Sequence, residues 1–108
     1  MFTYNPKKPL PYVYKCTERE TGRFYIGYRC ANIFPSEQDL GVKYFTSNLY
    51  VKMNWDKFDY EIIAEFFNKK DAFKFESQLI KETRCELQIN NDKHIKTRGK
   101  KTKYCTWR

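Results

Sequence analysis

The chain has 108 residues, 41% of them apolar, including nine Phe, nine Tyr and two Trp, and a formal net charge of +8. That length holds one small domain, and so many aromatic residues argue against a disordered chain. No apolar run approaches the ~18 residues of a membrane span, and Met1–Pro11 lacks the apolar segment of a secretory signal; no membrane partner and a cytoplasmic location are expected.

In chain order, Pro6, Pro9 and Pro11 make residues 1–11 an extended arm. Tyr12–Thr17 is rich in aromatic and β-branched residues and predicts a strand. Glu18–Gly22 reads as a turn, with Gly22 free to take positive φ. Phe24–Arg29 predicts a second strand, which closes a hairpin. Cys30–Lys43 has no period and reads as a long loop. Thr46 or Ser47 is placed to cap a short helix reaching about Trp55. Phe58–Phe66 alternates: Phe58, Tyr60, Ile62, Ala64 and Phe66 on one face, Asp59, Glu61 and Glu65 on the other, the pattern of a third strand. Asn68 and Asp71 resemble a capping box for a helix running to about Arg84, with Ala72, Phe73, Phe75, Leu79 and Ile80 as its apolar stripe. The order β-β-α-β-α implies a small α/β domain over residues 1–92, with a three-stranded, mostly antiparallel sheet flanked by helices.

The charge is concentrated at one end. Lys93, Lys96, Arg98, Lys100, Lys101, Lys103 and Arg108 fall in residues 93–108 with no acid among them, leaving fourteen basic against thirteen acidic residues before. A basic tail on a nearly neutral body reads as a polyanion contact, which makes DNA the expected partner. Cys16, Cys30, Cys85 and Cys105 form no CxxC pair, so structural zinc is disfavoured and reduced thiols are expected.

Glu76 is the residue that pattern singles out. Its neighbours three and four positions away are Ala72, Phe73, Leu79 and Ile80, so a carboxylate sits on an apolar stripe. Such a group is either paired structurally or serves as a metal ligand or acid/base group at a cleft rim.

The hairpin carries Tyr12-Val13-Tyr14 and Tyr25-Ile26-Gly27, with Tyr14 and Tyr25 eleven residues apart. This resembles the GIY-YIG nuclease family, whose two tripeptides lie on a hairpin at about that spacing. The second tripeptide matches fully; in the first, Tyr12 stands where the family has Gly and Val13 replaces Ile. Lys43-Tyr44-Phe45-Thr46-Ser47-Asn48 is similar to the tyrosine/glycine-serine segment of some phage and homing members. Glu76 falls at the family's metal-binding glutamate, and Asn90 matches the asparagine that often closes the domain.

The resemblance implies a metal-dependent DNA endonuclease. Tyr14 would activate water, Tyr25 and Arg29 would complete the catalytic set, and Glu76 would hold Mg²⁺ or Mn²⁺. Gly27, Lys43, Ser47 and Asn90 would face the substrate, and Lys93, Lys96, Arg98, Lys100, Lys101 and Lys103 would hold nucleic acid. The family's helix arginine has no counterpart between Arg29 and Arg84; Arg29 would supply its charge from the strand end, with Lys43 and Lys52 as fallbacks. A homodimer or a protein partner would supply sequence specificity, and the composition hints at a phage genome. The alternative is a catalytically weak or inactive nucleic-acid-binding protein of the same fold, working through its basic tail.

Overall fold

A computed structural model describes residues 8–90. The basic tail with its expected nucleic-acid contacts Lys93, Lys96, Arg98, Lys100, Lys101 and Lys103, and part of the amino-terminal arm, lie outside the described residues. Strands β1 (Tyr12–Glu18) and β2 (Phe24–Arg29) pair antiparallel through the turn in which Gly22 takes φ 80°. Strand β3 (Phe58–Glu65) pairs antiparallel with the other edge of β1, giving the order β2-β1-β3. The chain is thus a small α/β domain with a three-stranded antiparallel sheet and helices. No helix among the described residues is long and apolar enough to cross a membrane.

Each face of the central strand builds its own core. Tyr12, Tyr14 and Cys16 point to one side with Tyr25, Leu40, Val51, Phe58 and Ile89; Val13 points to the other with Ile26 and Ala72. The second face is covered by helix α3 (Lys69–Glu82), whose first turn is capped by Asn68 accepting from the Asp71 amide at 2.9 Å. Burying Val13 and Ile26 fully contributes about 1.5–3 kcal/mol each.

Four expectations are corrected. The predicted loop 30–43 contains a short helix, α1 (Ser36–Asp39), too brief to show a period. The helix before β3, α2 (Leu49–Met53), is capped by Asn48, whose side chain accepts from Val51, rather than by Thr46 or Ser47. It stops at Asn54, and a separate 3₁₀ turn spans Trp55–Lys57. Strand β3 does not keep one face: Tyr14 pairs with Ile62 and Val13 with Ala64, so Ile63 is an extra residue. That bulge moves Ala64 to the face of Val13, where Phe66 also packs, away from Phe58 and Ile62. Phe73 leaves the stripe of α3. It is 52% exposed, and its ring meets that of Tyr28 edge to face.

After α3 the chain returns along the open edge of β2. The Ile89 amide donates to Phe24 at 2.6 Å, and the Phe24 amide donates to Leu87 at 2.9 Å. The Asn90 side chain continues this pairing: its Oδ1 accepts from the Ile26 amide at 2.9 Å and its Nδ2 donates to the Ile26 carbonyl at 2.8 Å. Asn90 thus closes the sheet edge. Both ends of its amide bond the backbone of Ile26.

Candidate functional site

The tyrosine face of the sheet presents the site. Alternation along β1 places Tyr12 and Tyr14 on this face, and the antiparallel register sets Gly27 opposite Tyr14 and Arg29 opposite Tyr12. Tyr25 shares the face two residues before Gly27. Its ring lies 6.2 Å from that of Tyr14, and Tyr44 meets Tyr14 edge-on at 5.8 Å. Gly27 has a specific task here. A Cβ on it would lie 2.6 Å from the Tyr14 hydroxyl and 2.7 Å from Cζ, so the bare backbone is what lets the phenol lie across β2.

The Tyr14 hydroxyl is fully buried and shares hydrogen bonds with Thr46 Oγ1 at 2.9 Å and the Tyr44 hydroxyl at 3.2 Å. Burial raises its pKa far above the usual phenol range, with the neighbouring phenols Tyr25 and Tyr44 adding to the shift. Tyr25 is raised too, chiefly by burial; a hydrogen bond with Ser47 works against the shift, and the charge of Glu76 adds to it. Both tyrosines are therefore neutral phenols in this state.

Thr46 holds its place at some cost. Its φ is 73°, in the left-handed region that β-branched residues avoid. Its buried hydroxyl offsets this by binding Tyr14 and by accepting from the Asn48 amide at 3.3 Å. The strained residue thus fixes the hydroxyl of the candidate catalytic tyrosine.

Arg29 lies at the end of β2. Its Nε donates to Asp39 Oδ2 at 3.0 Å, and its guanidinium sits 4.1 Å from the centre of the Tyr44 ring. Asp39, from α1, is buried, and its Oδ2 also accepts from the Tyr12 hydroxyl at 2.5 Å. The backbone carbonyl of Asp39 accepts from the Lys43 and Tyr44 amides, both at 2.8 Å, so one tight turn brings Asp39 and Tyr44 together. Lys43 is exposed, with its Nζ 5.1 Å from the centre of the Phe34 ring. Ser47 is exposed beside Tyr25, and Lys52 is exposed on α2.

Glu76 is half-buried on α3, and its charge is felt at the Tyr25 phenol. Among the described residues no group of three or more His, Cys, Asp or Glu could hold a metal. One carboxylate beside neutral hydroxyls does not fit zinc. It fits a hard divalent ion such as Mg²⁺, which binds through one or two carboxylates and takes the rest of its shell from water and phosphate oxygens.

The structure thus groups Tyr14, Tyr25, Gly27 and Ser47 at the hairpin, with Arg29 reaching the same group through Tyr44 and Glu76 linked to it by the effect of its charge on Tyr25. Lys43 lies on the outer turn, and Asn90 is drawn into the sheet edge. Sequence reasoning missed Asp39, Tyr12 and the part played by Thr46. The one signal for Tyr12 was its departure from the family's glycine. Comparison with protein-family models, curated proteins and solved structures finds no match for the chain.

Proposed function

We propose that this chain is a metal-dependent endonuclease of the GIY-YIG type that hydrolyses phosphodiester bonds in DNA. The observation that carries the reading is the packing of Tyr14 against Tyr25 across the hairpin, with the charge of Glu76, from α3, reaching the Tyr25 phenol. These groups lie far apart in the chain, and the resemblance names them together. Glu76 would hold the divalent ion, which when bound supplies positive charge to the scissile phosphate.

In the state described, Tyr14 keeps its proton, so its part is that of a neutral donor that orients the attacking water or a phosphate oxygen. A base role would need a cation beside the hydroxyl to lower its pKa. Arg29 does not provide one directly, because Nε is bound to Asp39 and the guanidinium faces Tyr44. Sequence specificity would come from the loop before Lys43, from the tail, or from a dimer or partner protein.

A second reading, nucleic-acid binding without cleavage, draws support from the raised pKa of Tyr14 and the pairing of Arg29 with Asp39. Nicking of supercoiled plasmid with Mg²⁺ and with chelator separates the two. Chelator-sensitive nicking that Glu76→Ala abolishes, with the melting curve still cooperative, is the expected result. Salt-sensitive binding with no cleavage would replace the first reading by the second.

A further inference from the structure

The environment of Asp39 is unusual for a structural ion pair. Both of its side-chain contacts fall on one oxygen: Oδ2 takes the Tyr12 hydroxyl and Arg29 Nε. Oδ1 is buried with no hydrogen-bond partner. A core selected for stability alone would not keep an unsatisfied carboxylate oxygen, because apolar side chains of similar volume serve at least as well. The other end of the pair is not buried to the same degree. The Arg29 side chain is 23% exposed against 1% for Asp39.

The arrangement fixes a guanidinium plane. Asp39 holds the Nε edge, and the Tyr44 ring lies 4.1 Å from Cζ. The two Nη groups at the far edge form the fork that matches a phosphate's oxygens. Tyr12 in turn fixes Asp39, because the carboxylate's position is set by the short hydroxyl contact from the central strand. The geometry points to Tyr12 and Asp39 as positioning residues that hold Arg29 as a phosphate-binding fork at the end of β2. This rests on the nuclease reading for its biological sense but not for its test. It also links two departures of this chain from the pattern it resembles: the tyrosine at position 12 and the missing helix arginine.

The test is the salt dependence of binding to a duplex oligonucleotide in the presence of chelator, with the full chain. Each phosphate contact contributes about 0.9 to the slope of log affinity against log salt. Arg29→Ala should flatten the slope by about 0.9, that is, by one contact. Tyr12→Phe, which changes no charge and keeps the ring, should flatten it in the same direction. Asp39→Asn gives the sharpest discrimination. If the carboxylate positions Arg29, its loss weakens binding although the protein gains one unit of positive charge. If it merely neutralises Arg29, its loss strengthens binding. In an Arg29→Ala background neither substitution should have a further effect on the slope.

A wild-type slope in Tyr12→Phe together with tighter binding by Asp39→Asn overturns the proposal. So does an unchanged slope in Arg29→Ala, or no measurable binding by the wild type. Because Tyr12→Phe retains the packed ring, a folding failure of Asp39→Asn would leave the Phe variant to decide. Plasmid nicking by the wild type and its loss in Glu76→Ala report separately on the nuclease reading, so either can fail without the other.

Discussion

Replacing Gly27 by alanine adds one methyl group at the most crowded point of the site. The new Cβ would lie 2.6 Å from the Tyr14 hydroxyl, 2.7 Å from its Cζ and 3.0 Å from Tyr25 Cε2. The Tyr14 ring has no free space to yield into: it is fully buried and packed among Tyr12, Tyr25 and Tyr44. Overpacking of this kind costs about 1–3 kcal/mol. Removing a glycine from the unfolded ensemble returns about 0.4–1 kcal/mol. The net loss should be about 1–2 kcal/mol, a fall in Tm of roughly 4–16 °C for a domain of this size. Thermal melting followed by circular dichroism measures it. Adding Tyr14→Phe should restore only part of the loss, since the clash with Cζ remains when the hydroxyl is gone. Nicking by Gly27→Ala should fall more than the melt alone explains, because the displaced phenol leaves Thr46. A variant with wild-type Tm and wild-type nicking would refute the close approach of Tyr14 to β2.

Tyr14→Phe should cost about 10²–10³-fold in nicking rate, as the loss of one donor to the reacting groups does, and more than Tyr25→Phe; equal losses in single-turnover rates would remove the distinction. Stability should decline on the alkaline side. Burial pushes the Cys16 thiol up to about 12 and raises Tyr12, Tyr14 and Tyr25 above their ordinary range, so the folded state retains protons that the unfolded state releases. The stabilisation is complete below the ordinary thiol pKa of about 8.5 and is lost progressively as pH rises towards 12. Urea midpoints measured between pH 8 and 11 should therefore fall, and Cys16→Ala should shrink the earliest part of that fall. Asn90→Ala should destabilise by about 1–3 kcal/mol, because the Ile26 amide and carbonyl lose their partners at a buried edge. A loss of DNA affinity at unchanged Tm would instead return Asn90 to the substrate.

What could be read from the sequence was what local chemistry decides. The hairpin followed from two aromatic, β-branched runs around Gly22, and α3 from the Asn68 cap and its apolar spacing. The bulge at Ile63 was hidden because Ala64 and Phe66 are apolar, so an alternating pattern continues across a slip that moves them to the opposite face. Helix α1 is shorter than the period that would reveal it. Tyr14 and Tyr25 were legible as candidates only through the resemblance of the hairpin's two tripeptides, since alternation alone reads them as strand packing. Asp39 was not: an acid in an aperiodic stretch reads as solvated until packing shows it buried against Tyr12 and Arg29. Thr46 was hidden for the opposite reason, since a β-branched residue is evidence against the positive φ it adopts.

The charges around the site set one more expectation. Arg29 is matched by Asp39, and Tyr12, Tyr14 and Tyr25 are held neutral by burial. Glu76, half-buried on α3, contributes a negative charge that reaches the Tyr25 phenol, while Lys43 and Lys52 are exposed. Two unit charges about 8 Å apart in water interact by about 0.5 kcal/mol, which is roughly a twofold change in affinity. On the nuclease reading, Glu76→Ala should therefore bind DNA about twofold more tightly than the wild type at low salt with chelator present, while losing cleavage with Mg²⁺. The gain should fade as salt rises, because the interaction is screened over about 10 Å at 0.1 M. Fluorescence anisotropy with a labelled duplex resolves a difference of that size. Weaker binding by Glu76→Ala in chelator would mean that the carboxylate organises the DNA-binding surface rather than opposing the phosphate, and the metal-ligand assignment of Glu76 would lose its electrostatic support.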